Sequence, residues 1–150
     1  MKDRVTIGWR EWVQLPGLGI TGIKAKVDTG ARTSALHAFA VDEHRRGGER
    51  WVAFRMHPSQ LDDSIVLACE APLVDVRRVR DSGGHQSSRY VISSRIEIGS
   101  HSFDGEITLT ARDDMRFRML LGRTVMRGRF LVDPGRSYLV GDRGFRGREG

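Results

Sequence analysis

The sequence predicts a mainly β domain, a barrel or sandwich, with one short helix near its end. Eighteen glycines are scattered through the 150 residues, and few stretches show the 3.6-residue periodicity of an amphipathic helix. Apolar and polar residues alternate instead, for example over residues 95–98 and 106–109. The pairs Gly47-Gly48, Gly83-Gly84 and Gly99-Ser100 are typical of tight hairpin turns. Short strands joined by turns are therefore expected rather than a layered α/β sheet.

The strand candidates are bounded by glycine or Asx residues. In chain order they cover residues 4–12, 20–28, 36–42, 50–57, 64–70, 75–80, 89–98, 101–110, 130–132 and 137–140. A short helix is predicted over residues 122–129, with glycines on either side. The sequence has no repeat and no linker, so residues 1–150 are expected to form one domain, with the Gly- and Arg-rich residues 141–150 as a frayed tail.

The composition is that of an ordinary globular protein. Hydrophobic residues make up 39% of the chain and charged residues 29%, which excludes a disordered chain. No apolar run approaches the ~18 residues of a membrane-spanning helix, and the first residues carry no apolar signal segment. A single cysteine, Cys69, excludes an internal disulfide and suits a reducing compartment. A cytoplasmic protein without a membrane partner is expected.

The basic residues are unevenly chosen, since 22 of the 25 are arginine, and the formal net charge is +6. Arginine presents a planar fork that suits carboxylate and phosphate, so an anionic partner is one interpretation. The other is that an arginine-rich genome supplied the surface cations. Nucleic acid is disfavoured as the partner, because the arginines are spread along the chain without the aromatic residues of a stacking surface.

Several common functional motifs are absent from the sequence. It has no Gly-Lys-Ser/Thr phosphate loop, no Gly-x-Gly-x-x-Gly turn before a helix and no Gly-x-Ser-x-Gly nucleophile motif. Its five histidines do not fall at the short spacings of zinc sites. A zinc ion would need ligands from distant parts of the chain, for example His37 with Cys69. The sequence therefore predicts no cofactor and no metal.

The strongest candidate for chemistry is the turn Asp28-Thr29-Gly30. It follows an apolar strand, residues 23–27, in which two lysines alternate outward. The end of a strand fixes the carboxylate, the threonine can hydrogen-bond to neighbouring backbone, and the glycine lets the chain or a substrate come close. The same residues are also typical of an ordinary β-turn.

The segment KAKVDTGARTSALHA, residues 24–38, resembles the catalytic turn of retropepsin-like aspartic proteases. The segment MLLGR, residues 119–123, resembles the apolar segment that precedes the C-terminal helix in that family and threads past the catalytic strand. Between them, RDSGGHQ, residues 80–86, resembles a flap tip. Order and spacing match over residues 20–140, and DTGARTSALHA and LLGR…GRFLVDP are most similar to a bacterial branch labelled ATP-dependent zinc proteases. The resemblance implies an acid-protease barrel with residues 40–73 as an extra segment of one or two hairpins.

The resemblance also implies an aspartic endopeptidase. Each chain supplies one Asp-Thr-Gly turn, so the family pairs two chains in a homodimer, and Asp28 would meet its own symmetry mate. Two such carboxylates share one proton. The ionised one takes a proton from a water molecule that attacks the peptide carbonyl, and the protonated one donates to the carbonyl oxygen.

Roles for the residues around Asp28 follow from the same resemblance. Thr29 would lock the two turns together, and Gly30 would approach the substrate backbone. Leu121, Gly122 and Arg123 would support the site, with Arg123 orienting neighbouring carboxylates. A flap, residues 80–88, would close over the peptide. The predicted substrate-binding residues are Ala31, Arg32, Arg78, Arg80, Ser82, Gly83 and Gly84.

An acidic, glutamate-rich peptide is the expected substrate. The branch is similar to proteins encoded beside ligases that add glutamate to protein tails, including a ribosomal protein, and Arg78, Arg80 and Arg89 flank the flap tip. Because strand residues alternate, Arg78 and Arg80 share one face, and both are expected to point into the cleft. Two alternatives stay open. One is a non-catalytic peptide-binding or dimerisation module on the same fold, and the other is the zinc-dependent hydrolase that the label of the branch suggests.

Overall fold

The computed structural model describes residues 4–80, 83–111 and 116–140. Within them the strands are β1 (Val5–Gly8), β2 (Arg10–Leu15), β3 (Ile20–Val27), β4 (Ser34–His37), β5 (Phe39–Arg46), β6 (Glu49–Met56), β7 (Leu67–Arg80), β8 (Gln86–Ile98), β9 (His101–Thr110), β10 (Met119–Leu121) and β11 (Phe130–Asp133). A 3-10 turn covers Pro16–Leu18, and helix α1 covers Arg123–Met126. The predicted all-β class with one short helix is confirmed.

Six of the strands close into a barrel. Their order is β2–β3–β10–β4–β9–β8, and the pairing of Gln14 with Glu97 joins β8 back to β2. Strand β10 lies parallel to β3 and antiparallel to β4, while β4 lies parallel to β9. Closure gives β2 a second partner, whereas an open sheet would leave it as an edge strand. The barrel implied by the resemblance is therefore confirmed.

The sheet continues beyond the barrel from β8. Strand β7 pairs with β8, β6 with β7, and β5 with β6, all antiparallel. The β5–β6 hairpin turns at Gly47 and Gly48, whose φ angles of +59° and +83° favour glycine. This hairpin is one of those predicted for the extra segment 40–73, and the predicted turn at Gly99-Ser100 is also found, between β8 and β9.

The hydrophobic core fills the barrel interior. Its side chains alternate along the strands, so that Ala25 of β3 and Leu36 of β4 both lie opposite Met119 of β10. The fully buried side chains include Val13, Ile23, Leu36, Ile96, Ile107 and Met119. Residues between these positions lie on the outer face of the barrel, and the candidate site is built on that face.

Several strand boundaries differ from the predicted ones. The strand predicted over residues 4–12 is two strands, because Trp9 leaves the ladder to hydrogen-bond with Arg136 and Val27. The strands predicted over 64–70 and 75–80 are joined in the 14-residue β7, where an irregularity between Leu73 and Asp75 replaces the predicted break. The helix is shorter than predicted and ends before Gly128, whose φ is +79°.

The predicted strand over residues 137–140 is instead an irregular segment held by a buried carboxylate. Glu11 is fully buried, and its Oε2 accepts hydrogen bonds from the N–H groups of Gly8 at 2.7 Å and Leu139 at 2.8 Å. Its Oε1 accepts one from the N–H of Val140 at 3.3 Å. Side-chain acceptors therefore replace the ladder that the prediction assumed. The predicted tail, residues 141–150, lies outside the described residues.

Candidate functional site

Asp28 lies where β3 ends and the chain turns away from the barrel. Its N–H donates to the carbonyl of Leu121 at 2.9 Å, so strand β10 fixes the backbone at this point. The N–H of Gly30 donates to Asp28 Oδ1 at 3.0 Å, and the N–H of Ala31 donates to the Asp28 carbonyl at 3.2 Å. Among the described residues Asp28 Oδ2 accepts no hydrogen bond, and the side chain is half-buried. One carboxylate oxygen is thus held by the turn, and the other has no hydrogen-bond donor among the described residues.

Glycine is favoured at position 30 because the Asp28 carboxylate leaves little room for a side chain there. A Cβ atom at Gly30 would lie 3.3 Å from Asp28 Oδ1, closer than most Cβ contacts. Both Thr29 and Gly30 are exposed in the single chain. Thr29 and Gly30 are therefore open to solvent, while the backbone of Asp28 is held by its hydrogen bond to Leu121.

The segment from Leu121 to Arg123 packs against the turn and hydrogen-bonds to it. The N–H of Gly122 donates to the buried Ser34 Oγ at 3.0 Å, and Arg123 Nη1 donates to the Thr29 carbonyl at 3.0 Å. A Cβ atom at Gly122 would lie 2.4 Å from the carbonyl carbon of Thr33, so any larger residue would displace backbone. The structure places these predicted support residues next to the Asp28 turn.

The two residues after the turn contact the start of α1. The N–H of Arg123 donates to the Ala31 carbonyl at 2.9 Å, and the N–H of Thr124 donates to the Arg32 carbonyl at 3.0 Å. Ala31 is half-buried and Arg32 is exposed. Their backbone is therefore fixed, while the substrate-binding roles given to them remain predictions.

A cleft of about 220 Å³ opens beside Asp28. Its lining residues come from the turn and from the outer face of the barrel: Asp28, Ala31, Thr33, Ala35, Arg89, Thr108, Thr110 and Leu120. Leu120 and Thr108 alternate with core residues of their strands, which places the cleft on the outer face. Pockets that enclose drug-sized ligands measure about 300–1,000 Å³, so this cleft suits one side chain or a short extended segment.

Charge in the cleft is sparse and mixed. Among its described lining residues, Asp28 is the one carboxylate and Arg89 the one cation. Thr33, Thr108 and Thr110 add hydroxyl groups that both donate and accept hydrogen bonds. Such a lining suits a peptide backbone together with an anionic group.

The predicted flap corresponds to the end of the β7–β8 hairpin. The backbone of Arg80 pairs with that of Gln86, and Gly83 and Gly84 are exposed at the tip, with φ of +82° at Gly84. Ser82 lies outside the described residues. The hairpin is present where the resemblance implied it, and its closure over a peptide remains a prediction.

The register of the hairpin sorts its arginines onto two faces. Arg77 lies opposite Arg89, and Arg78 lies opposite Ser88. Because neighbours along a strand alternate, Arg78 lies on the other face from Arg89, and the backbone of Arg80 continues the register of Arg78. The arginine that lines the cleft is therefore Arg89. Substrate binding by Arg78 and Arg80 stays a prediction, but Arg78 lies on the face opposite Arg89.

Part of the cleft was missed in the sequence analysis. Thr108 and Thr110 alternate with Ile107 and Leu109 along β9, a pattern that indicates a strand with one polar face. That pattern does not say which strand lies alongside. The parallel pairing that brings β4 next to β9 joins segments about 70 residues apart and leaves no local signal.

The described residues do not fit a zinc site. Nowhere in residues 4–80, 83–111 and 116–140 do three or more His, Cys, Asp or Glu side chains cluster closely enough to hold a metal ion. His37 stacks on His57, with 6.3 Å between ring centroids. Burial raises the pKa of the Cys69 thiol to about 11, which disfavours the thiolate that zinc binds.

Helix α1 is four residues long, and no helix in the described part of the chain has the length and apolar character to span a membrane.

A crystal structure with a similar fold is that of protein Lpg0085, of unknown function, from Legionella pneumophila. The two structures match with a TM-score of 0.77 over 92% of this chain and 99% of the other, at 23% sequence identity. This similarity supports the fold.

Sequence relatives include two proteins described as probable alpha-L-glutamate ligase. The one from Shewanella pealeana is 46% identical over 142 residues, and the one from Parasynechococcus marenigrum is 47% identical over 142 residues. Each match covers 95% of this chain but only 31% and 30% of the respective relative, so the chain spans less than a third of their length. A model of the RimB-like family, described as retropepsin-like aspartic endopeptidase RimB, matches residues 6–143, and the chain belongs to that family.

Proposed function

We propose that this chain is an aspartic endopeptidase in which two copies of Asp28, one from each subunit of a symmetric homodimer, activate water for peptide hydrolysis. The observation that carries the proposal is the state of the Asp28 carboxylate. Its Oδ1 is held by the Gly30 N–H, its Oδ2 accepts no hydrogen bond from a described residue, and it lines a cleft of side-chain size. A carboxylate that is fixed on one side and open on the other suits a general base.

The need for a second subunit follows from the lining of the cleft. The mechanism requires two carboxylates that share a proton, and Asp28 is the one carboxylate among the described lining residues. Thr29 and Gly30 are exposed at the edge of the turn, where a two-fold contact with a second copy would form. The bond from Arg123 to the Thr29 carbonyl keeps that edge rigid.

The reaction balances with these two groups alone. The ionised Asp28 takes a proton from water, the water oxygen bonds to the peptide carbonyl carbon, and the partner subunit's Asp28 donates its proton to the carbonyl oxygen. When the tetrahedral intermediate breaks down, the C–N bond is cleaved, and the proton that Asp28 took from water passes to the leaving amine. The partner subunit's Asp28 regains its proton from the hydroxyl group formed on the former carbonyl oxygen. The products are a new carboxyl terminus and a new amino terminus.

A glutamate-rich peptide is the substrate we propose. Relatives 46% and 47% identical to this chain are described as probable alpha-L-glutamate ligase, and the matching part is less than a third of each. A domain that hydrolyses glutamate-containing peptides would oppose such a ligase and limit the length of the product. The net charge of +6 favours an anionic substrate.

The same relatives favour one other candidate, a domain that binds a glutamate-containing peptide without cleaving it. In that case Asp28 would contact the peptide only as a hydrogen-bond acceptor. The two candidates differ in what Asp28→Asn does, because asparagine keeps the shape of the side chain but does not act as a base.

The test compares wild type, Asp28→Asn and Asp42→Asn on a fluorogenic glutamate-rich peptide, with and without a metal chelator. Asp42 is exposed on β5 and serves as the matched control for loss of one charge. Loss of a general base is worth about 10²–10⁴ in rate, so Asp28→Asn is expected to lose hydrolysis while Asp42→Asn and the chelator leave it unchanged. Hydrolysis retained in Asp28→Asn refutes the peptidase. Binding without hydrolysis in wild type favours the peptide-binding domain.

A further inference from the structure

Two arginines face each other across the β7–β8 hairpin. Arg77 and Arg89 are register partners in an antiparallel pair, so their side chains lie on the same face with Cβ atoms about 4.5–5.5 Å apart. Like charges directly opposite each other destabilise such a pair. The fold alone therefore gives no reason for arginine at both positions.

Only Arg77 has its charge compensated. Its Nε donates to Asp75 Oδ2 at 3.0 Å, and its Nη2 donates to Glu106 Oε1 at 3.3 Å. Arg89 makes no ion pair and no hydrogen bond with any described residue, although its side chain is half-buried. A partly desolvated guanidinium with unused donors has a strong preference for an anion.

The Arg89 guanidinium lines the same cleft as Asp28. Thr108 and Thr110 lie beside it on the neighbouring strand, and Arg89 is the one cation among the described lining residues. Arginine carries five N–H donors and no acceptor, so the group that it recognises is an acceptor such as a carboxylate, bound by two parallel hydrogen bonds. Arg77 does not line the cleft, and its charge is already paired with Asp75 and Glu106.

We propose that Arg89 is a specificity-determining residue that binds a substrate carboxylate beside the scissile bond. This inference rests on the proposed function, and it assigns recognition to the face of the hairpin opposite Arg78. The carboxylate has two possible sources, an acidic side chain or the C-terminus of the peptide. Both offer the same bidentate acceptor, and the experiment distinguishes them.

The test uses three peptides of equal length: one with glutamate next to the cleaved bond and an amidated C-terminus, one with glutamine there and an amidated C-terminus, and one with glutamine and a free C-terminus. Wild type, Arg89→Gln and Arg89→Lys are compared. Arg55→Gln is the matched control, since Arg55 is exposed on β6 and makes no ion pair with a described residue. Thermal unfolding verifies that each variant is folded.

Wild type is expected to cleave a carboxylate-bearing peptide at least about tenfold better than the neutral one, because hydrogen bonds to a charged group exceed neutral ones by that margin. Arg89→Gln is expected to remove this preference through KM, Arg89→Lys to keep part of it, and Arg55→Gln to leave it unchanged. A preference for the first peptide identifies a side-chain carboxylate, and a preference for the third identifies the C-terminus. A preference that survives in Arg89→Gln, or that is lost in Arg78→Gln instead, overturns the inference.

Binding measured in the Asp28→Asn background separates this inference from the proposed function. The dissociation constants of the same peptides, measured by fluorescence anisotropy, do not depend on hydrolysis. If wild type cleaves none of the peptides, the proposed peptidase activity is refuted. Even then, the role of Arg89 is supported if Asp28→Asn binds a carboxylate-bearing peptide more tightly than the neutral one and the double variant with Arg89→Gln does not. Equal affinities for all three peptides with and without Arg89 refute it.

Discussion

Two carboxylates on neighbouring barrel strands, Glu11 of β2 and Asp28 at the end of β3, have opposite surroundings. Glu11 is fully buried and accepts hydrogen bonds from the N–H groups of Gly8, Leu139 and Val140. Asp28 is half-buried, accepts one from the Gly30 N–H and lines a cleft. The two side chains have similar chemistry, but only Asp28 can exchange a partner with solvent or substrate.

The difference is the one expected between a structural carboxylate and the reactive one proposed for Asp28. A buried anion is tolerated when its oxygens are saturated by fixed donors, and those donors then leave no room for a reactant. A general base needs the reverse, namely an oxygen within reach of water and a backbone that holds it still. Glu11 is expected to act on stability and Asp28 on activity, and variants at these two positions test that division.

The largest effect is expected for Asp28→Asn. Hydrolysis should fall by about 10²–10⁴-fold because the base is lost, while the thermal midpoint should change little, since Asp28 makes its described side-chain hydrogen bond only within its own turn. Peptidase assays and thermal unfolding on the same preparation measure both. If Asp28→Asn unfolds the protein, Asp28 is a structural residue like Glu11 and the division is wrong.

Glu11→Ala is expected to lower the free energy of unfolding by about 3 kcal/mol, because the N–H groups of Gly8, Leu139 and Val140 lose their acceptor. Urea denaturation measures the change. Glu49→Ala, an exposed residue at the start of β6, is the control and should behave as wild type. Equal stability of the two variants would show that the Glu11 contacts contribute nothing.

Gly122→Ala is expected to lower both stability and activity, because Gly122 packs against the backbone next to the Asp28 turn. Its new Cβ would overlap Thr33, and overpacking of this kind costs about 1–3 kcal/mol. Activity should fall as well, since the turn must shift. In Gly17→Ala, the control, the nearest atom to the new Cβ is Ser94 Oγ at 3.9 Å, and no loss is expected. Wild-type stability in Gly122→Ala would contradict the observed packing.

The smallest effect concerns Cys69, a buried acid without a compensating partner. Burial raises the pKa of the folded thiol from 9.0 to about 11, so the unfolded thiol loses its proton first. Wild type should therefore lose stability relative to Cys69→Ala as the pH rises from about 9 to 11, and the difference should be constant at lower pH. Denaturation of both proteins at pH 7, 9 and 10.5 tests this, and parallel curves would refute it.

The parts of the molecule that short motifs encode were predictable. Asp28-Thr29-Gly30 and Leu121-Gly122-Arg123 are contiguous in sequence, and each keeps its conformation through bonds to near neighbours or to the other segment. Glu11 was not predictable in this way. In the strand Arg10–Leu15 it looks like one more alternating polar residue, and two of its backbone partners lie 128 and 129 residues away.

The choice between Arg78 and Arg89 shows a second limit. Alternation correctly separates the two faces of a strand, but which face meets the cleft depends on pairing register. A shift of one residue exchanges the faces, and the register here is set jointly by β7, β8 and β9. No short segment of the sequence determines how these three strands pair.

The central claim, that two copies of Asp28 form one active site, is tested most directly by mixing subunits. Wild type and Asp28→Asn are exchanged at a fixed total concentration above that of dimer dissociation, and native mass spectrometry verifies the mixed dimers. If each active site needs both carboxylates, activity per wild-type chain falls in proportion to the wild-type fraction and reaches about half at an equal mixture. Activity per wild-type chain that stays constant at every ratio would contradict the claim, because each chain would then carry a complete site.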